Sequence, residues 1–187
     1  YDSFASWCGK PKTVAFGEIG LDFFYDLSPR DVQEKVFLEQ LELAHFLKMP
    51  VVIHLRDAYG LMLKLLKENA KLLDNGAVLH CYSGSAEMVR EFSRLDLYYS
   101  FGGAITFKNA TEKPAVLKAC PTDRILLETD CPYMTPVPHR GKVNYPKYVN
   151  LVAQRAAEIL SLTPERVAEI TTENAKRLFP KMAALLP

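Results

Sequence analysis

The chain has 187 residues, 49% of them hydrophobic, enough to bury a core in a single domain over residues 1–187, with room for a small second one. Lys plus Arg number 23 against 22 Asp plus Glu, so no overall positive field attracts nucleic acid, and any polyanion has to be held by a local patch. The apolar runs reach at most about half the length needed to cross a bilayer, and "YDSFASWCGKPK" lacks the apolar core of a signal peptide. No membrane partner is expected, and the cytoplasm is the expected location. Cys8, Cys81, Cys120 and Cys131 form no C-x-x-C pair, which fits free thiols in a reducing compartment.

In chain order, "TVAFGE" reads as a short buried strand. "SPRDVQEKVFLEQLELAHFLKM" reads as a helix with Ser28 as N-cap and Pro29 at its first position, and with Phe37, Leu41, Ala44 and Leu47 on one face. "PVVIHL" is the next strand, and the helix through "YGLMLKLLKENAKLL" stops near Asn75-Gly76. "AVLHCY" is a strand, "SAEMVREFSRL" a helix, "LYYSFGG" a strand, "EKPAVLKAC" a short helix and "RILLETD" the fifth strand. Gly102-Gly103 is read as a loop that needs unusual dihedrals. After the proline-punctuated "CPYMTPVPHRGKVNYP" the chain is helical to its end, with a cap at Thr163-Pro164.

Strands that alternate with helices and are continuous apolar runs imply a parallel sheet covered on both faces, either doubly wound or closed as a (β/α) barrel. Polar residues decide for the barrel. Glu18, His54, His80 and Asp130 sit at or just beyond the ends of four different strands, spaced by one or two strand–helix units of roughly 30 residues each. Parallel strands bring their C-terminal ends to one face, where barrel enzymes carry their chemistry.

The stretch "ILLETDCPYMTP" places Glu128 and Asp130 directly after three aliphatic residues, where an ionised carboxylate is costly unless a positive partner is close. Two imidazoles and two carboxylates suit a divalent ion, and such an ion would stabilise a strand-end carboxylate. Two residues apart on a strand, Glu128 and Asp130 are expected to face the same side, one binding metal and the other anchoring an arginine. His45 and His139 are read as solvated or structural.

"GEIGLDFFYD", "PVVIHLRDA", "VLHCYSGS", "ILLETDCPYMTPVPHRGKVNYP" and "TTENAKRLF", in this order through nearly the whole chain, resemble the TatD family of metal-dependent deoxyribonucleases within the amidohydrolase superfamily. The resemblance implies a distorted TIM-type barrel holding one or two divalent ions, magnesium or manganese ahead of zinc. It implies that Glu18 bridges the ions, that His54 and His80 bind the second, and that Asp130 binds the first and accepts a proton. The substrate implied is DNA, as single strands or ends, hydrolysed at its phosphodiester bonds. Arg56 and Arg140 are candidates for phosphate, since a guanidinium matches its oxygens bidentately, although Arg140 can instead pair with Glu128. Phe23, Phe24, Tyr25 and Tyr133 are candidates for stacking bases or for packing.

The family's opening strand ends in His-x-His, and no His-x-His occurs here. The expectation is therefore a barrel truncated at its N-terminus in this chain and monomeric at full length. Two alternatives stand beside the nuclease: a hydrolase of small esters or amides on the same scaffold, and an inactive fragment.

Overall fold

The structure, a computed structural model, describes residues 2–185. It comprises two compact units, one running to His80 and including Arg94–Tyr98 and the segment from Lys176, the other comprising Cys81–Ser93 and Tyr99–Ala175.

In the first unit a short helix α1 (Asp2–Cys8) precedes strand β1 (Phe16–Asp22), helix α2 (Arg30–Phe46), strand β2 (Val51–Arg56), helix α3 (Tyr59–Glu68) and strand β3 (Ala77–Leu79). β1 pairs in parallel with β2, and β2 with β3. The buried residues Phe16, Ile19 and Leu21 of β1 and Val51, Ile53 and Leu55 of β2 alternate with less buried ones, so each strand turns one row of side chains into the core. α2 covers β1 with Phe37, Leu41 and Ala44, which recur at helical spacing, and α3 covers β2 with Met62, Leu65 and Leu66.

The second unit contains helix α4 (Ala86–Phe92), strand β4 (Tyr98–Phe101) from Tyr99 onward, strand β5 (Ile125–Leu127), and helices α5 (Lys113–Ala119) and α6 (Val149–Leu160). β4 and β5 pair in parallel through Tyr99–Ile125, Ser100–Leu126 and Phe101–Leu127. Ser85 caps α4 by accepting from the Met88 N–H at 3.3 Å. Thr163 caps helix α7 (Pro164–Leu178), as the sequence implies, by accepting from the Arg166 N–H at 3.2 Å. Buried Asn174 on α7 donates to the carbonyls of Thr122 and Ile125 at 2.9 and 2.7 Å, which ties this helix to the start of β5. A last helix, α8 (Pro180–Ala183), follows α7.

Several expectations need correction. The first strand does not end at Glu18 but runs from Phe16 to Asp22, because the glycine-rich "GEIGLD" pairs along β2 despite its poor strand propensity. Ser28 is not the cap of α2. Pro29 holds that position with ψ 139, so the helix opens at Arg30, and the Ser28 carbonyl accepts from Gln33 Nε2 at 2.9 Å. Leu47 closes α2 at its C-cap, partly exposed. Gly102 and Gly103 have no positive φ. Gly103 is required by close approach, since a Cβ there would lie 1.8 Å from the Met134 carbonyl oxygen.

Candidate metal centre

β1 and β2 are in a register that sets Gly20 opposite His54 and Asp22 opposite Arg56. Between Gly17 and Ile19 the register shifts by one residue, and Glu18 is the extra residue. A bulge of this kind re-aims a side chain out of the regular alternation. Glu18 thereby meets both histidines. His54 Nδ1 lies 3.9 Å, and His80 Nε2 3.4 Å, from Glu18 Oε2. The imidazole rings are 5.8 Å apart, and His80 follows β3 directly, held by its N–H on the Ile53 carbonyl at 3.0 Å.

One donor atom from each of Glu18, His54 and His80 lies within 4.8 Å of the other two. Ligands sharing one ion at about 2.1 Å are spaced by about 3–4.2 Å, so the two measured separations fit a common divalent ion without rearrangement. The donor set, two imidazoles and a carboxylate, suits that ion chemically as well.

Asp22, which sequence reasoning passed over, completes this group from the end of β1. Its Oδ2 is 2.9 Å from His54 Nε2, while its Oδ1 accepts from the N–H groups of Phe24 and Tyr25 at 3.0 and 2.8 Å. Desolvation raises the Asp22 pKa, but the hydrogen bonds from Tyr25, His54 and Phe24 outweigh it and hold the carboxyl below its ordinary value. Gln33 of α2 grips the Asp22 backbone on both sides, accepting from its N–H at 2.9 Å and donating to its carbonyl at 3.2 Å. The only sequence signal for this arrangement was an acid ending the motif "GLD" beside a strand. Beside it lies a cavity of about 370 Å³, lined by Glu18, Asp22, Tyr25, Ser28, Gln33 and His54 among others, at the small end of the range for ligand pockets.

Arg56 does not stand free. Its guanidinium lies over the rings of Phe24 and Tyr25, 3.7 and 4.8 Å from their centroids, and these two exposed rings meet edge to face at 5.1 Å. Phe23 carries Arg30 over its ring at 4.3 Å. His45 lies in the last turn of α2, where its Nδ1 is buried without a hydrogen-bond partner.

In the second unit, Glu128 and Asp130 follow β5 instead of lying on it, because the strand ends at Leu127. Asp130 has φ 54, so the two-residue alternation that would aim both carboxylates to one side does not apply. Glu128 Oε1 accepts from the Cys81 N–H at 2.6 Å. Arg140 lies 3.6 Å over the Phe107 ring, and His139 stacks on Tyr148 at 4.5 Å. Tyr133 is exposed. Burial, reinforced by Glu128 and Asp130, pushes the Cys81 thiol far above its usual range. The loop after β5 is organised by buried Asn144, whose amide donates to the carbonyls of Thr129 and Tyr133 at 2.7 and 2.6 Å.

A family model described as TatD related DNase matches residues 1–180. Among curated proteins, the uncharacterized metal-dependent hydrolase YabD of Bacillus subtilis is 50% identical over 168 residues, covering 90% of this chain and 66% of that protein. The uncharacterized metal-dependent hydrolase YcfH of Escherichia coli is 40% identical over 166 residues, covering 89% of this chain and 62% of that protein. The chain thus spans slightly less than two thirds of the length of these curated relatives. The crystal structure of YJJV, a TatD homologue from Escherichia coli, matches with a TM-score of 0.87 and 30% identity, over 96% of this chain and 69% of that one. A TatD family hydrolase from Entamoeba histolytica has the same fold, with a TM-score of 0.78 at 22% identity. These likenesses bear out the expected α/β fold of the TIM-barrel type, with five parallel strands in this chain.

Proposed function

Since this chain belongs to the TatD-related DNase family, we propose that the protein it comes from is a divalent-metal-dependent hydrolase that cleaves phosphodiester bonds of DNA, from ends or within single strands. The observation that carries the reading is the convergence of Glu18, His54 and His80.

In this reading Glu18, His54 and His80 hold the ion. A divalent ion held there would supply Lewis-acid chemistry, lowering the pKa of water and offsetting charge on the phosphoryl oxygens. Glu18, at the bulge, is turned out of the core, so its carboxylate reaches both imidazoles and remains 54% exposed at the side chain. Asp130 is the group assigned to take the proton from the attacking water. Arg56 and Arg140 contribute positive charge toward phosphate, each held over aromatic rings that limit its rotamers. Phe24 and Tyr25 are exposed, and the parts of their rings that Arg56 does not cover are candidates for stacking unstacked bases.

The test uses the intact protein with end-labelled single-stranded and duplex DNA, with added magnesium or manganese, beside a panel of small esters and amides. Cleavage of DNA that chelator abolishes and His80→Ala strongly reduces is the expected result. Turnover of the ester or amide panel without DNA cleavage overturns the nuclease assignment, and full activity in excess chelator overturns the metal assignment.

A further inference from the structure

An imidazole has two nitrogens and, when neutral, one proton, so a histidine that is to present a lone pair to a metal needs its other nitrogen committed. At His54 that commitment comes from Asp22. A carboxylate only accepts, so the 2.9 Å contact between Asp22 Oδ2 and His54 Nε2 places the proton on Nε2. Nδ1 is then the lone-pair nitrogen, and it is the atom on the Glu18 side of the ring.

Asp22 is itself held at every polar atom but that one. Two backbone N–H groups occupy its Oδ1, and the Gln33 amide fixes its backbone N–H and carbonyl. Gln33 also donates to the Ser28 carbonyl, which locks the turn between β1 and α2 to the same amide. Oδ2 therefore has a fixed position, set by two elements of the scaffold, and is available to His54.

We propose that Asp22 is a positioning residue for His54, fixing the proton on Nε2 and turning Nδ1 toward Glu18 as the ligand atom. This deepens the metal reading given above and rests on it. Partners behind ligating histidines of this kind are typically worth about 10–100-fold in metal affinity.

The first measurement needs no variant. In the intact, metal-free protein, proton–nitrogen correlation spectra, with the His54 signals identified by their loss in His54→Gln, report which ring nitrogen carries the proton. Nε2 is expected, and a proton on Nδ1 overturns the proposal.

The second measurement separates positioning from structure. In Asp22→Asn, Oδ1 still accepts from Phe24 and Tyr25, so the turn and the urea midpoint are expected to hold. An amide nitrogen in place of Oδ2 cannot accept from Nε2–H. His54 is expected to lose its Nε2–H preference, and manganese(II) affinity, read by calorimetry, to fall about 10–100-fold. An unchanged tautomer together with unchanged manganese affinity overturns the proposal. The nuclease reading fails on a different result, the absence of DNA cleavage by the parent, and the tautomer and manganese measurements stand whatever is cleaved.

Discussion

Replacing Gly20 with alanine attacks the junction on which the candidate metal centre is built. Gly20 sits between Glu18 and Asp22 on β1 and opposite His54 on β2. Its φ of +152° is a conformation that L side chains rarely adopt, and a Cβ would lie 1.8 Å from the His54 carbonyl oxygen, with the His54 carbonyl carbon and nitrogen at 2.8 and 3.0 Å. These are backbone atoms of a paired strand and cannot rotate away. Backbone strain of about 1–3 kcal/mol and overpacking of about 1–3 kcal/mol together predict a loss of about 2–6 kcal/mol for Gly20→Ala. That is a large share of the roughly 5–15 kcal/mol that stabilises a typical domain. Any relief requires β1 and β2 to part at His54, which carries its imidazole away from Glu18. The assay is urea unfolding of the intact protein followed by circular dichroism, with manganese titration of whatever folded fraction remains. Gly60→Ala is the control. Apart from its chain neighbours and its own helix backbone, no atom of the described residues lies within 4 Å of a Cβ there, and the position is helical, so a gain of up to about 1 kcal/mol is expected. A loss under about 1 kcal/mol at Gly20, with manganese affinity intact, would refute the Gly20–His54 register and with it the placement of Glu18 beside both histidines.

Two further predictions concern the second unit and the thiols. Asn144→Ala leaves the carbonyls of Thr129 and Tyr133 without their donor, and a cost of about 1–3 kcal/mol is expected, with faster hydrogen exchange confined to the loop after β5; unchanged exchange there would contradict the role given to Asn144. Burial pushes the Cys120 thiol up to about 12, and the Cys8 and Cys81 thiols also lie above their ordinary value, so at pH 8 all three stay protonated and resist alkylation of the folded protein. Exposed Cys131 is expected to be the one thiol modified by iodoacetamide, and mass spectrometry showing rapid labelling of Cys120 would refute its burial.

The alternation of strands and helices was legible because it is written in local periodicity. β2, α3, β4 and α6 bury the residues that their apolar spacing marks, and the short polar interruptions fall where the strands stop. His54 and His80 were legible for a related reason, since an imidazole ending an apolar run stands out against its surroundings. What local pattern could not give was anything decided by pairing. Local propensity ends β1 at Glu18, since glycine and acids depress it, whereas the pairing with β2 continues to Asp22 and makes Glu18 a bulge. The apolar run places Asp130 at the end of a strand, whereas its φ of 54 belongs to a loop whose conformation depends on Asn144, fourteen positions further on, reaching back to Thr129 and Tyr133.

The same distinction separates Asp22 from Glu18. Both belong to one motif, "GEIGLD", and both are acids beside a strand, so composition and spacing weigh them alike. They differ only in what lies across the sheet and behind it. Glu18 gains its place from the register shift, which turns it toward His54 and His80. Asp22 gains its place from Gln33, a residue of the following helix whose amide holds the strand end at both backbone atoms. A helix position chosen for its side chain thus determines where a strand carboxylate stands, and that carboxylate determines which nitrogen of His54 is free. Positions with this kind of effect carry no periodic signature, because their effect passes through a backbone hydrogen bond and not through burial. It follows that Gln33→Ala, which removes hydrogen bonds to Asp22 and Ser28, should weaken manganese binding in the same direction as Asp22→Asn, but less, since Phe24 and Tyr25 still hold Oδ1.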